Sequence, residues 1–188
     1  MHVLEAHTED APRASLALPS AIDSLVFLRG RAVDSATLSV LRDRVTVFCD
    51  ELAPSLPDYF SAGLAPVASR RFVDALVSLG VDNHETFLVS IEDIDDEIPS
   101  HGYSALNVSG RIACIDLDRS RYTTEGGAIF RVDTLRLRDD QPSDVLMFRP
   151  HEWPRVILIN DVIAERLKGA GLTGVKLTPL NDWTYEGY

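Results

Sequence analysis

From Tyr103 to Pro179 the chain is cut into short apolar runs, each of strand length and each closed by a turn or a charged spacer. "YSALNVSG" puts Leu106 and Val108 on one face, and "RIACIDL" is almost continuously apolar. "DVLMF" and "RVILI" are two further strand candidates, separated by "RPHEWP". Alternation of this kind marks strands, and one helix among so many of them leaves little room for an all-helical or α/β design. The segment "AIFRVDTLRLRD" adds a detail. Phe130 and Val132 face inward at its start, and Leu135 and Leu137 at its end. Those two pairs have opposite parity. A strand cannot change faces without an extra residue, so a bulge or break is expected near Asp133–Thr134.

The helices are few and well punctuated. "SRRFVDALVSLG" carries an N-cap at Ser69, an apolar face of Phe72, Val73, Leu76 and Leu79, and a stop at Gly80. It leads through "VDNHE" into "TFLVSI", where Phe87, Val89 and Ile91 alternate. A shorter helix from Ser35 turns Leu38 and Leu41 inward and precedes the β-branched strand "RVTVFC". "LAPSLPDYFSAGLAP" holds three prolines and a glycine and reads as a loop, with Tyr59 and Phe60 plugging the edge of the core. The expected fold is α+β: a largely antiparallel sheet, a few helices packed on one face, and a C-terminal strand–helix–strand.

The organisation follows from length and composition. Residues 1–15 read as a flexible N-terminal tail. Residues 16–188 form one α+β domain, divisible into a small lobe (16–66) and a core (67–180). No basic region followed by an apolar stretch opens the chain, and no apolar run is long enough to span a membrane. Cys49 and Cys114 are far apart and form no C-x-x-C, which places the chain in a reducing cytoplasm.

The C-terminal stretch "GAGLTGVKLT" tests the nucleotide-binding alternative. Gly169, Gly171 and Gly174 fit G-x-G-x-x-G, but the order of elements is inverted. A phosphate loop runs from a strand into a helix N-terminus, whose free N–H groups meet the anion. Here the helix comes first, and the negative end of its dipole points at the glycines. The helix has its own logic: a cap at Asn160 or Asp161, a face of Ile163, Leu167 and Ala170, and Arg166 and Lys168 in its last turn. The glycines are a helix stop.

Charge excludes one further class. The net charge is −11. Between Asp50 and Pro99 eleven acids stand against two bases, a balance of −9. A protein that binds nucleic-acid backbone needs the opposite sign. "EDIDDE" lacks the glycine and closing glutamate of a calcium loop, so metal and other cofactors are not expected. No two histidines have ligand spacing, and no nucleophile elbow occurs. The acidic loop is instead a field that steers a basic protein partner. The late aromatics Trp153, Trp183, Tyr185 and Tyr188 pack back on the sheet or serve as interface anchors.

Three consecutive pieces carry a resemblance: "PVASRRFVDALVSLGVDNHETFLVSI", "YSALNVSGRIACIDLDRS" and "VLMFRPHEWPRVILINDVIAERLKGAGLTGVKLTPL". Together they resemble the bacterial immunity protein 11 family, found beside polymorphic toxins, over about residues 55–180. The resemblance implies a non-catalytic cytoplasmic inhibitor that caps a cognate toxin and needs no cofactor. The acidic balance suits a basic toxin, for which Glu92, Asp93, Asp95, Asp96 and Glu97 would provide steering and Tyr103 an anchor. Neither nucleic acid nor a membrane is an expected partner, while a homodimer is compatible. The competing reading is a small hydrolase or transferase with a site near His101, Asp93 and Asp95.

Overall fold

The computed structural model describes residues 1–7, 12–41, 45–50, 56–93, 102–140 and 144–186, with the backbone alone at Ser24, Asp93, Ala128 and Glu186. In chain order the first half holds β1 (His2–Ala6), β2 (Ala14–Ala17), α1 (Ser35–Leu41), β3 (Val45–Cys49), β4 (Tyr59–Ala62), β5 (Ala65–Ser69) and α2 (Arg70–Ser78). The second half holds β6 (His84–Asp93), β7 (Tyr103–Val108), β8 (Arg111–Ile112), β9 (Arg121–Glu125), β10 (Ala128–Thr134), β11 (Met147–Pro150), β12 (Ile157–Ile159), α3 (Asp161–Gly169), β13 (Val175–Pro179) and β14 (Tyr185–Glu186). The α+β class and the mostly antiparallel pairing are those expected, and β12–α3–β13 is the C-terminal strand–helix–strand.

The strands divide into three sheets. β2, β3, β6, β7, β5 and β4 close into a six-stranded barrel, and β13, β1, β12, β11 and β8 form a five-stranded sheet. β14, β10 and β9 form a small third sheet. Three pairings are parallel: β3 with β6, β2 with β4, and β11 with β8.

Period-2 alternation decides what each strand buries. Inside the barrel lie Val45, Val47 and Cys49 of β3, Phe87, Val89 and Ile91 of β6, Phe60 and Ala62 of β4, and Val67 of β5. A 3₁₀ turn at Ser24–Leu28 supplies Phe27, which meets the Phe87 ring edge-on at 5.8 Å. Burying such an aromatic contributes about 1.5–3 kcal/mol. The outer faces of β4, β5 and β7 present Tyr59, Ala68, Leu106 and Val108 to a second core. That core is completed by Phe72 and Leu76 of α2, Ile163, Ala164 and Leu167 of α3, and Leu4, Met147, Ile157 and Ile159 of the five-stranded sheet. The other face of the same sheet turns Val3, Phe148 and Leu158 into a third core with Trp153 and Trp183. Ile157, Leu158 and Ile159 are apolar without alternation because their strand is buried on both faces.

Several local expectations are corrected. His2–Ala6, read as part of a tail, is an inner strand of the five-stranded sheet, pairing with β12 and β13. The proline-rich segment read as a loop contains the hairpin β4–β5, in which Tyr59 and Phe60 are fully integrated core residues. Pro66 fits because it sits where the chain leaves the Gly63–Leu64 turn. The register of β10 does shift between Val132 and Thr134. It shifts a second time between Ile129 and Arg131, which turns Phe130 outward to 42% exposure. Leu38 is likewise exposed, while Leu41 is buried.

The glycine stretch is a helix stop in the structure. The side chain of Asn160 accepts from the N–H of Val162 at 2.7 Å and opens α3. Ala170 closes it, and β13 follows. Gly174, at φ +73°, lies against the backbone of Tyr59, and a Cβ there would fall 2.3 Å from the Tyr59 carbonyl oxygen. The stretch thus docks the C-terminal strand–helix–strand onto the barrel.

Candidate functional site

Strand direction gathers one set of chain segments at one end of the barrel. β3 and β6 are parallel, with Cys49 opposite Asp93 at their C-terminal ends. β7 runs antiparallel to β6 and β5 antiparallel to β7, so β7 begins at this end with Tyr103, which pairs with Ser69 at the end of β5. β2 starts here as well, where the N–H of exposed Asp50 donates to the Arg13 carbonyl at 3.0 Å. The N–H of Arg70 donates to the Gly102 carbonyl at 2.9 Å, tying the start of α2 to the segment that leads into β7.

The candidate acids fall on this end to different degrees. Glu92 is half-buried near the end of β6, opposite Phe48. Asp93 is the last residue of β6. Asp95, Asp96 and Glu97 lie outside the described residues, as does His101 of the competing hydrolase reading. Tyr103 is half-buried: its ring meets Phe60 at 5.9 Å and its hydroxyl donates to the Leu56 carbonyl at 3.0 Å. Burial first, and the nearby Asp58 carboxylate second, raise the pKa of its phenol.

Other acids of the same stretch have structural employment. Asp58 is buried; its carboxylate accepts from the Ser69 hydroxyl at 2.7 Å and from Arg71 at 3.1 Å. Glu85 accepts from the N–H of Val33 at 2.9 Å and from Asn107 at 2.8 Å, holding the chain that follows the 3₁₀ turn against the barrel. Asp74 lies 3.7 Å from Arg70 on the exposed face of α2. Among the described residues, Asp58, Asp74 and Glu85 are thus engaged within the fold, while Asp50, Glu92 and Asp93 stand at the barrel end.

Sequence reasoning left two readings of the late aromatics open and passed over Arg149. Trp153, Trp183 and Tyr185 form one cluster, with ring centroids 4.8 to 6.1 Å apart. Both tryptophans are buried, so of the two readings of the late aromatics, packing describes these two. Arg149 is buried beneath a cavity, and nothing in "RPHEWP" except its adjacency to a strand could have signalled this. Both cysteines are buried. Burial, and then Glu152, push the Cys114 thiol up to about 12, which makes it a packing group rather than a nucleophile. Among the described residues no helix is long and apolar enough to cross a membrane, and no three His, Cys, Asp or Glu side chains converge as metal ligands.

Residues 34–182, well over half of the chain, match the model of a family of immunity proteins, which neutralise toxins and are typically non-catalytic. That family is the immunity protein family (Imm11), and the chain belongs to it. The match is wider than the sequence resemblance and takes in α1 and β3, although it omits the inner strand β1. No curated protein matches the chain.

Proposed function

We propose that this immunity protein captures a basic cognate toxin in the cytoplasm of the producing cell, through the barrel end that carries Asp50, Glu92, Asp93 and Tyr103. Asp95, Asp96 and Glu97, which follow Asp93 in sequence, belong to the proposed steering set. The observation that supports this placement is the parallel pairing of β3 and β6, which brings Asp50, Glu92 and Asp93 to one end of the barrel. Like charges so gathered raise the local potential and steer a cationic partner before contact. Tyr103 then offers an amphipathic ring already held by Phe60 and Leu56, so little rotamer entropy is lost when a partner covers it.

The experiment is a binding measurement between the full chain and the toxin-like product of the adjacent gene. Charge reversal of Glu92, Asp95, Asp96 and Glu97 to Lys should slow association by about tenfold or more while leaving the chain folded. Unchanged kinetics in a folded variant would place the interface elsewhere.

A further inference from the structure

Among the described residues Arg149 is the largest fully buried side chain, with 1% of its surface exposed. It stands on β11 in line with Met147, on the face that packs toward the barrel. Its Nη1 donates to the Pro154 carbonyl at 2.7 Å, which fixes the plane of the guanidinium. Its Nε and Nη2 find no hydrogen-bond partner among the described residues. Those two nitrogens share one edge of the guanidinium and carry parallel N–H bonds, the pair that grips the two oxygens of a carboxylate. Leaving such an edge unmatched in the interior is costly to the fold, so its retention calls for an explanation.

The same side chain lines a cavity of about 540 Å³ between β1, the β4–β5 hairpin and Tyr185. Leu4, Tyr59 and Ile157 give it apolar walls. Arg13 and Arg155, both exposed, also line it. One acid is present, Glu5, whose carboxylate lies 3.8 Å from Lys176. Three arginines against one carboxylate make this concavity locally cationic in a chain of net charge −11.

We infer that this cavity is a binding site for a small organic monocarboxylate with an apolar body, whose two oxygens reach the Nε/Nη2 edge of Arg149 when the side chains that close that edge off from the cavity shift. The volume is that of a small-molecule site. The apolar walls take the body of the ligand, and the exposed arginines draw the anion in. A single negative charge balances the single buried cation, whereas the Glu5 carboxylate on the wall disfavours a dianion. Burial lowers the Arg149 pKa to about 10, against the opposing influence of Tyr59, so the guanidinium remains cationic at neutral pH. Shielded from water, a charge-assisted bidentate pair is at its strongest.

The test uses the purified full chain and three probes: 4-methylvalerate, its amide, and inorganic phosphate. Calorimetric titration and thermal melting should show one-to-one binding and a raised melting temperature with the carboxylate only. The 15Nε resonance of Arg149 in the unaltered protein should shift on titration. Arg149→Lys should weaken binding by more than about tenfold, and the double variant Arg13→Ala/Arg155→Ala by a few-fold with a flatter salt dependence. Absence of binding, an unmoved Arg149 resonance, or equal stabilisation by the amide or by phosphate would overturn the inference. If Arg149→Lys fails to fold, the resonance shift in the unaltered protein decides alone.

Discussion

Asp58 and Thr173 are joined by three hydrogen bonds across 115 residues of chain, one of them from the Thr173 hydroxyl to the Asp58 carboxylate at 3.2 Å. The N–H of Asp58 donates to the Thr173 hydroxyl at 3.0 Å, and the N–H of Thr173 donates to the Asp58 carboxylate at 2.9 Å. Ser69, whose hydroxyl also caps α2 by accepting from the N–H of Phe72, and Arg71 converge on the same carboxylate. Arg71 reaches on to the Ala170 and Gly171 carbonyls at the end of α3. One buried acid therefore joins the start of β4, the start of α2 and the stop of α3.

Removing that carboxylate should be costly. Asp58→Ala leaves Ser69, Thr173 and Arg71 without their acceptor and should destabilise the fold by about 3 kcal/mol, read from urea unfolding. The same group has a pH signature. Burial alone would raise its pKa, but the Thr173 N–H, the Ser69 hydroxyl and the Arg71 guanidinium outweigh burial and hold it below the ordinary carboxylate value. Its folded pKa is thus below the unfolded value of about 3.9. The stabilisation is complete above that value and is lost as pH falls through the folded pKa. Asp58→Asn should flatten this part of the acid unfolding profile. Asp23 and Asp34 are also lowered, chiefly by backbone N–H donors, but they are solvent-exposed and contribute little.

The three glycines of the helix stop should separate cleanly on substitution by alanine. Gly174→Ala forces a Cβ toward the Tyr59 carbonyl and Pro57 at φ +73° and should cost about 3 kcal/mol or more. Gly171→Ala meets only the flexible end of Arg71 at 3.6 Å, so the left-handed backbone at φ +63° sets its cost at about 1–2 kcal/mol. Gly169 ends α3 with open space around it, and alanine there should stabilise by about 0.5–1 kcal/mol. Thermal melts of the three variants read the order directly.

The second register shift in β10 makes Phe130 and Val132 unequal. Phe130→Ser should change stability by less than about 0.5 kcal/mol, because the ring is outside the core. Val132→Ala should cost about 1.5–3 kcal/mol, because Val132 is packed in the third core. Equal costs would contradict the register.

These cases show what a sequence of this kind reveals. α2 and α3 were legible because their signals are local: capping side chains at Ser69 and Asn160, apolar spacing, and glycine stops. The bulge after Val132 was legible as a change of parity within one strand. β1 was not, since "HVLEA" has no pattern of its own and its partners lie more than 150 residues away at Ile157–Ile159 and Val175–Pro179. The closed barrel was hidden for the same reason, because its parallel pairings join segments with no hairpin between them. Arg149 was hidden because burial of a cation is a property of its neighbours in space.

The proposed interface predicts a steep salt dependence. Association with the toxin should slow by about tenfold or more as ionic strength rises from about 0.1 M, where charges are felt over roughly 10 Å, to about 1 M, where the range is roughly 3 Å. Dissociation should change far less, because steering acts on encounter. Stopped-flow mixing of the two proteins separates the rates.

The most direct measurement of the central claim is protection of cells that express the toxin-like product of the neighbouring gene. Co-expression of the full chain should restore growth, and the two proteins should co-purify as a stable complex. Continued killing at full expression of the folded chain, with no complex recovered, would contradict the account.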